Sequence, residues 1–177
     1  MTSTTNRSGP ATDRRWGAGA DAAAAVLAPL VLAGLGAVSG IVGNEGSMAW
    51  YQSLNQPWFT PPGAAFGIAW TILYILMGIA FWRVIRLAPG AERDGPRRRA
   101  IGLFLVQLAL NLVWNPAFFL LQSPLVGVIL IVPLLVLIAL TVHAFRRVDR
   151  LAAALLLPYL AWVTFATVLS VSILVMN

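Results

Sequence analysis

Five long apolar runs follow one another along this chain, at about 22–42, 63–87, 100–121, 124–145 and 151–175, divided by short polar or arginine-bearing segments. A helix needs about 20 mostly apolar residues to cross a hydrocarbon core of about 30 Å, and each run is that long. One such run could be the buried helix of a soluble protein. Five in succession in 177 residues have no soluble interior large enough to hide them. The pattern therefore predicts an all-α fold, an integral membrane bundle of five transmembrane helices over residues 21–177. Residues 1–20 are rich in Thr, Ser, Gly and Arg with no apolar period and are expected to form a disordered tail. A signal peptide fits less well, because the apolar run behind the basic flank is long enough to span.

Composition agrees. Apolar residues make up 59% of the chain and charged residues only 10%, where a soluble domain carries about a quarter charged. There is no cysteine, which excludes disulfides and thiolate chemistry. The net charge of +6 would point to nucleic acid in a soluble protein. Here its placement gives it another use, and no nucleic-acid partner is expected. Every basic residue is an arginine, and with five spans all of them fall on one side: Arg7, Arg14 and Arg15, then Arg83, Arg86, Arg93, Arg97, Arg98 and Arg99, then Arg146, Arg147 and Arg150. The opposite side has none. The positive-inside rule then places the N-terminus in the cytoplasm, in what is expected to be a bacterial cell membrane. Four or six spans would scatter the arginines.

The acidic residues Asp13, Asp21, Glu45, Glu92, Asp94 and Asp149 all fall at or beyond span ends. The mid-membrane carboxylate of a proton- or ion-coupled transporter is therefore missing. His143 is the single histidine and reads as an interfacial residue. One histidine without cysteine leaves no basis for a protein-built metal centre or a bis-histidine haem. No metal site, required cofactor or catalytic residue is expected.

What the spans do carry is polar and aromatic. Gln107, Asn111, Trp114, Asn115, Phe118 and Gln122 recur at three- and four-residue steps and share one helix face. Amides facing lipid would lose hydrogen bonds at several kcal/mol each, so the stripe faces the bundle, as interhelical glue or as a pocket wall. Tyr159, Trp162, Ala166, Leu169 and Ser170 repeat the pattern in the fifth span, and Trp70 and Tyr74 stand four apart in the second. The loop 43–62 interleaves Trp50, Tyr51, Trp58 and Phe59 with prolines. A headgroup-level belt accounts for one or two aromatics; four among prolines point to a structured lid. Pro116, Pro133 and Pro158 predict breaks in their helices, and Gly36 and Gly40 form a GxxxG. Together these features describe a site for a large, flat, mostly apolar molecule.

Four signatures in order resemble the translocator protein family, TspO/MBR, the tryptophan-rich sensory proteins and peripheral benzodiazepine receptors. Residues 50–62 are similar to W-Y-x-x-L-x-x-P-x-x-x-P-P, residues 70–74 to W-x-x-L-Y, and residues 107–119 to Q-L-x-x-N-x-x-W-x-P-x-F-F. Pro158-Tyr159-Leu160-Ala161-Trp162 with Phe165-Ala166 resembles the family's fifth-helix motif. The resemblance implies a five-helix homodimer with a pocket under the first loop that binds porphyrins such as protoporphyrin IX. By motif position the ligand-binding residues are Trp50, Tyr51, Pro61, Trp70, Tyr74, Asn111, Trp114, Asn115, Trp162, Ala166 and Leu169. A sensor or carrier linked to tetrapyrrole levels is the leading expectation. The alternatives are light- and oxygen-dependent porphyrin breakdown, with Trp50 and Trp162 as electron donors, and passive transport of a hydrophobic molecule. Ser170 stands where many members have Asn. Residues 171–177 lack the Tyr and basic residue of the animal cholesterol segment, so a cholesterol partner is not expected.

Overall fold

The computed structural model describes residues 15–44, 47–87 and 90–177. Its helices are α1 (Ala18–Asn44), α2 (Met48–Ser53), α3 (Gly63–Ile85), α4 (Ala91–Leu120), α5 (Pro124–Val148), α6 (Arg150–Leu155) and α7 (Leu157–Met176). Five stretches are long and apolar enough to cross a membrane: α1, α3, α4, α5, and α6 with α7 taken together. Residues 1–14 of the expected tail lie outside the described residues. Residues 18–20 already belong to α1. Likewise α4 begins at Ala91, about two turns before the apolar run. Helices can project past the hydrocarbon where charged side chains reach water, so apolar length understates helix length.

The spans close into a ring. α1 lies against α3 and α4, α4 against α5, α5 against α6 and α7, and α6 returns to α3. In lipid no hydrophobic force drives helices together, so close approach of small residues matters. At the α1–α3 crossing, a side chain on Gly78 would collide with the backbone of Ala28 and Pro29. The other face of α1 presents Val26, Leu27, Leu30, Val31, Val38 and Ile41, all more than half exposed, to the lipid.

Two of the three expected proline breaks are absent. α4 and α5 run unbroken through Pro116 and Pro133. Only Pro158 accompanies an interruption, at Leu156, which divides the last span into α6 and α7. Proline removes one backbone bond but leaves a helix continuous when neighbours hold it on both sides. Gln122 also departs from the expected stripe. It sits past the end of α4, exposed, with φ 47°, and makes the turn into α5, whose first turn is capped by Ser123.

The interior is zoned. Toward the arginine-bearing end it is apolar: Phe104 stacks between Phe81 and Phe145, with ring centroids 4.6 and 5.7 Å apart, beside Val84, Ala100 and Ala152. That end is tied electrostatically. Arg86 pairs with Asp21 at 2.9 Å and lies 4.4 Å above the ring of Trp82, whose indole N–H donates to Asp21 Oδ1 at 3.1 Å. Arg83 pairs with Asp149 at 2.8 Å, and Asp149 Oδ1 accepts from the amides of Leu151 and Ala152 to start α6. Toward the first loop the interior becomes polar and aromatic.

Candidate ligand-binding site

The first loop is folded rather than slack. α2 gives it one and a half turns; Leu54 leaves in extended conformation and donates back to the Tyr51 carbonyl. Gln56 Nε2 also donates to that carbonyl at 2.9 Å. Thr60 closes a turn on Pro57 through both its amide and its hydroxyl. Pro61 and Pro62 then lead into α3, Pro62 in the N-cap position with its carbonyl accepting from Ala65. The loop is held down at the far end of the chain. The Asn55 amide donates to Asn177 Oδ1 at 2.9 Å, Asn177 Nδ2 donates to the Asn55 carbonyl at 3.1 Å, and Asn55 Nδ2 donates to the Met176 carbonyl at 3.2 Å.

Three of the four loop aromatics turn inward. Trp50 meets Phe118 edge-on at 5.4 Å, Tyr51 meets Phe118 and Phe119 at 6.2 and 5.6 Å, and Phe59 meets Phe165 at 6.3 Å. Burial raises the Tyr51 hydroxyl above its ordinary pKa of 10.0, because the phenolate would lose its water. Trp58 alone points outward, 96% exposed, as a headgroup-level aromatic does.

The expected site residues fall into two groups on either side of α4. On one side Trp50, Tyr51 and Trp114 surround Phe118, with Asn115 next to Trp114 on α4. Trp114 stacks on Phe118 at 5.5 Å with the planes 8° apart and donates its N–H to the Gly127 carbonyl on α5 at 2.9 Å. A side chain on Gly127 would run into the Phe118 ring. Trp114 thus builds the wall, its donor already used. Asn115 lies against Gly43 of α1, where the amide oxygen occupies the space a β-carbon would need.

On the other side Trp70, Tyr74, Asn111 and Trp162 line the centre. Tyr74 Oη donates to Asn111 Oδ1 at 2.5 Å, joining α3 to α4. Its ring rests on Gly36 of α1. Trp70 lies 5.6 Å from Tyr74 and 6.2 Å from Tyr159, and Tyr159 Oη donates to Gln107 Oε1 at 2.9 Å. Trp162 sits between Phe66 and Phe165, each at 5.7 Å. Ala166 and Leu169 are buried on α7, and Pro61 is half-buried in the loop. A cleft of about 370 Å³ between α3 and α7, lined by Ala69, Leu73, Pro158, Trp162 and Phe165, opens to the bilayer beside Trp162.

Three side-chain atoms in this region are buried without a hydrogen-bond partner: Gln107 Nε2, Asn115 Oδ1 and Trp162 Nε1. Phe118 and Tyr159, from the inward stripes read in the sequence, complete the aromatic lining with Phe66 and Phe165, which were not among the expected site residues. Phe66 lies four before Trp70 and Phe165 three after Trp162, so helical spacing carried the signal for both.

Sequence comparison matches residues 25–176 to the TspO/MBR family. The chain belongs to the TspO/MBR family. It is 44% identical over 128 residues to the tryptophan-rich protein TspO of Chlorobaculum tepidum, covering 72% of this chain and 79% of that protein. To the tryptophan-rich protein TspO of Archaeoglobus fulgidus it is 36% identical over 152 residues, covering 86% and 95%. To the human translocator protein it is 39% identical over 137 residues, covering 75% and 76%. Membership and the five spans together make this a multi-pass membrane protein. All four TspO/MBR signatures lie within the matched residues. The structure gathers the loop signature, the α4 signature and the α3 and α7 aromatics at one end of the bundle, opposite the arginines.

Proposed function

We propose that this TspO/MBR protein is a membrane receptor or carrier for porphyrins, which it holds in the aromatic region beneath the first loop. The observation that carries the reading is the pair of buried unpartnered donors on the α7 side of α4, Gln107 Nε2 and Trp162 Nε1. Leaving such a group unpaired costs about 1–3 kcal/mol, and a protoporphyrin-type ligand offers each a partner. Its carboxylates accept from amide and indole N–H groups. Its flat faces suit the rings of Trp70 and Trp162. The cleft beside Trp162 supports access from the bilayer, where so apolar a ligand is dissolved. The arginine distribution supports a cell-membrane setting with the arginine-bearing end in the cytoplasm.

The test is a titration of detergent-purified protein with protoporphyrin IX in the dark, followed by quenching of tryptophan fluorescence. Saturable quenching, weakened several-fold by Trp162→Phe or Asn111→Ala, is expected. Linear quenching indifferent to both changes would mean partitioning into detergent and would remove the porphyrin assignment. Light-driven breakdown is the second reading, favoured by Trp162, which lines the cleft and whose buried indole N–H has no partner. New absorbance bands under light, lost in Trp162→Phe while dark binding persists, would select it.

A further inference from the structure

A second cleft lies at the opposite end of the molecule, between α4 and α5 and apart from the aromatic region. Its volume is about 280 Å³, and Arg99, Arg147 and His143 line it with Pro96, Leu140 and Ala144. Both arginines are exposed, and neither has a carboxylate partner among the described residues. Arg83 and Arg86, on the same side of the membrane, are paired with Asp149 and Asp21. The cleft therefore concentrates positive charge that no carboxylate among the described residues neutralises.

Below the charges the surface turns apolar in a continuous track. On α5, Arg147, His143, Leu140, Val136, Val132 and Ile129 follow at three- and four-residue steps, and every one is exposed. On α4, Gly102, Val106, Ala109 and Val113 continue from Arg99 at three- and four-residue steps and are all exposed, and Gly102 and Ala109 leave shallow ground. A cationic mouth at the membrane edge above an apolar furrow matches a molecule with an anionic head and a long acyl tail. Guanidinium groups bind phosphate through paired N–H donors, and basic pockets between transmembrane helices hold anionic lipid head groups.

We propose that the α4–α5 cleft binds the phosphate of an anionic phospholipid, held by Arg99 and Arg147 with the acyl chain along the exposed face of α5. The protein is titrated in detergent with dioleoylphosphatidylglycerol, dioleoylphosphatidylcholine and inorganic phosphate, and bound lipid is counted by native mass spectrometry. Saturable retention of phosphatidylglycerol over phosphatidylcholine is expected. Arg99→Gln with Arg147→Gln should weaken it about tenfold or more, since each arginine contributes to anionic-lipid binding. The control, Arg98→Gln with Arg146→Gln, makes the same change in net charge at exposed arginines outside the cleft and should retain the preference. Equal binding of both lipids, or equal loss in both double variants, overturns the proposal. Displacement of phosphatidylglycerol by inorganic phosphate alone would assign the cleft to a soluble phosphate and overturn the lipid.

Discussion

Ser39 on α1 donates its hydroxyl to the carbonyl of Leu112 on α4 at 2.8 Å. That carbonyl lies four residues before Pro116, which has no N–H to give it. One residue's missing donor is thus supplied by another helix, and α4 continues unbroken past its proline. An interhelical hydrogen bond in a membrane contributes about 1 kcal/mol. Ser39→Ala should lower stability by about that much, while in the Pro116→Ala background, where the amide returns, the same change should cost about half or less. Thermal unfolding of the four proteins of this cycle checks it. A full, undiminished penalty in the Pro116→Ala background would show that the two residues act separately.

Gly36 lets the Tyr74 ring lie against α1, within reach of Asn111. Gly36→Ala should push the ring away and break the bond to Asn111. The clash and lost bond cost about 1–3 kcal/mol, against about 1 kcal/mol gained in helix propensity. The net is a modest loss of stability, with a larger loss of ligand affinity. Gly34→Ala, with open space around the new methyl, isolates the propensity gain and should stabilise by up to about 1 kcal/mol without loss of affinity in the same melting and titration experiments.

Arg97 is buried, and its Nε and Nη2 donate to the carbonyls of Val84 and Ile85 at 3.2 and 3.0 Å. These end the α3 helix, so the guanidinium both satisfies two orphan acceptors and sits at the negative end of the helix dipole. Arg97→Ala should destabilise by about 2–3 kcal/mol. Arg97→Lys should recover less than half, because an ammonium cannot offer two donors in a fixed fork. Hydrogen exchange at the C-terminal turn of α3 should accelerate in both variants.

Tyr51 gives the loop a pH limit. Its pKa in the folded protein is raised above 10.0 by burial, so between the unfolded and folded values the native state holds the proton more tightly. The stability it contributes is therefore complete below about pH 10 and lost as pH rises through the folded value. The difference in tyrosinate absorbance between wild type and Tyr51→Phe should develop above pH 10. Tyr51→Phe should also abolish the part of any alkaline loosening of the loop that follows this titration, as read by limited proteolysis at 47–62.

The number of spans, their order in the chain and the side that carries the arginines were all legible from the run of residues. Each depends on a local quantity: how many apolar residues stand together, and which charges flank them. The inward stripe of Gln107, Asn111, Trp114 and Asn115 was legible too, because helical spacing alone places those residues on one face. Spacing could not say what each would meet. Tyr74 finds Asn111 across 37 positions, Asn55 finds Asn177 across 122, and Trp114 uses its N–H on Gly127 rather than leaving it to a ligand. The breaks expected at Pro116 and Pro133 depended equally on neighbours, and the helices went through. Which helices adjoin, which polar atoms stay unpartnered and where the clefts open were decided by the ring of five spans. Such contacts join residues distant in sequence, and their energies exist only once the backbones have been brought within a few ångströms of one another.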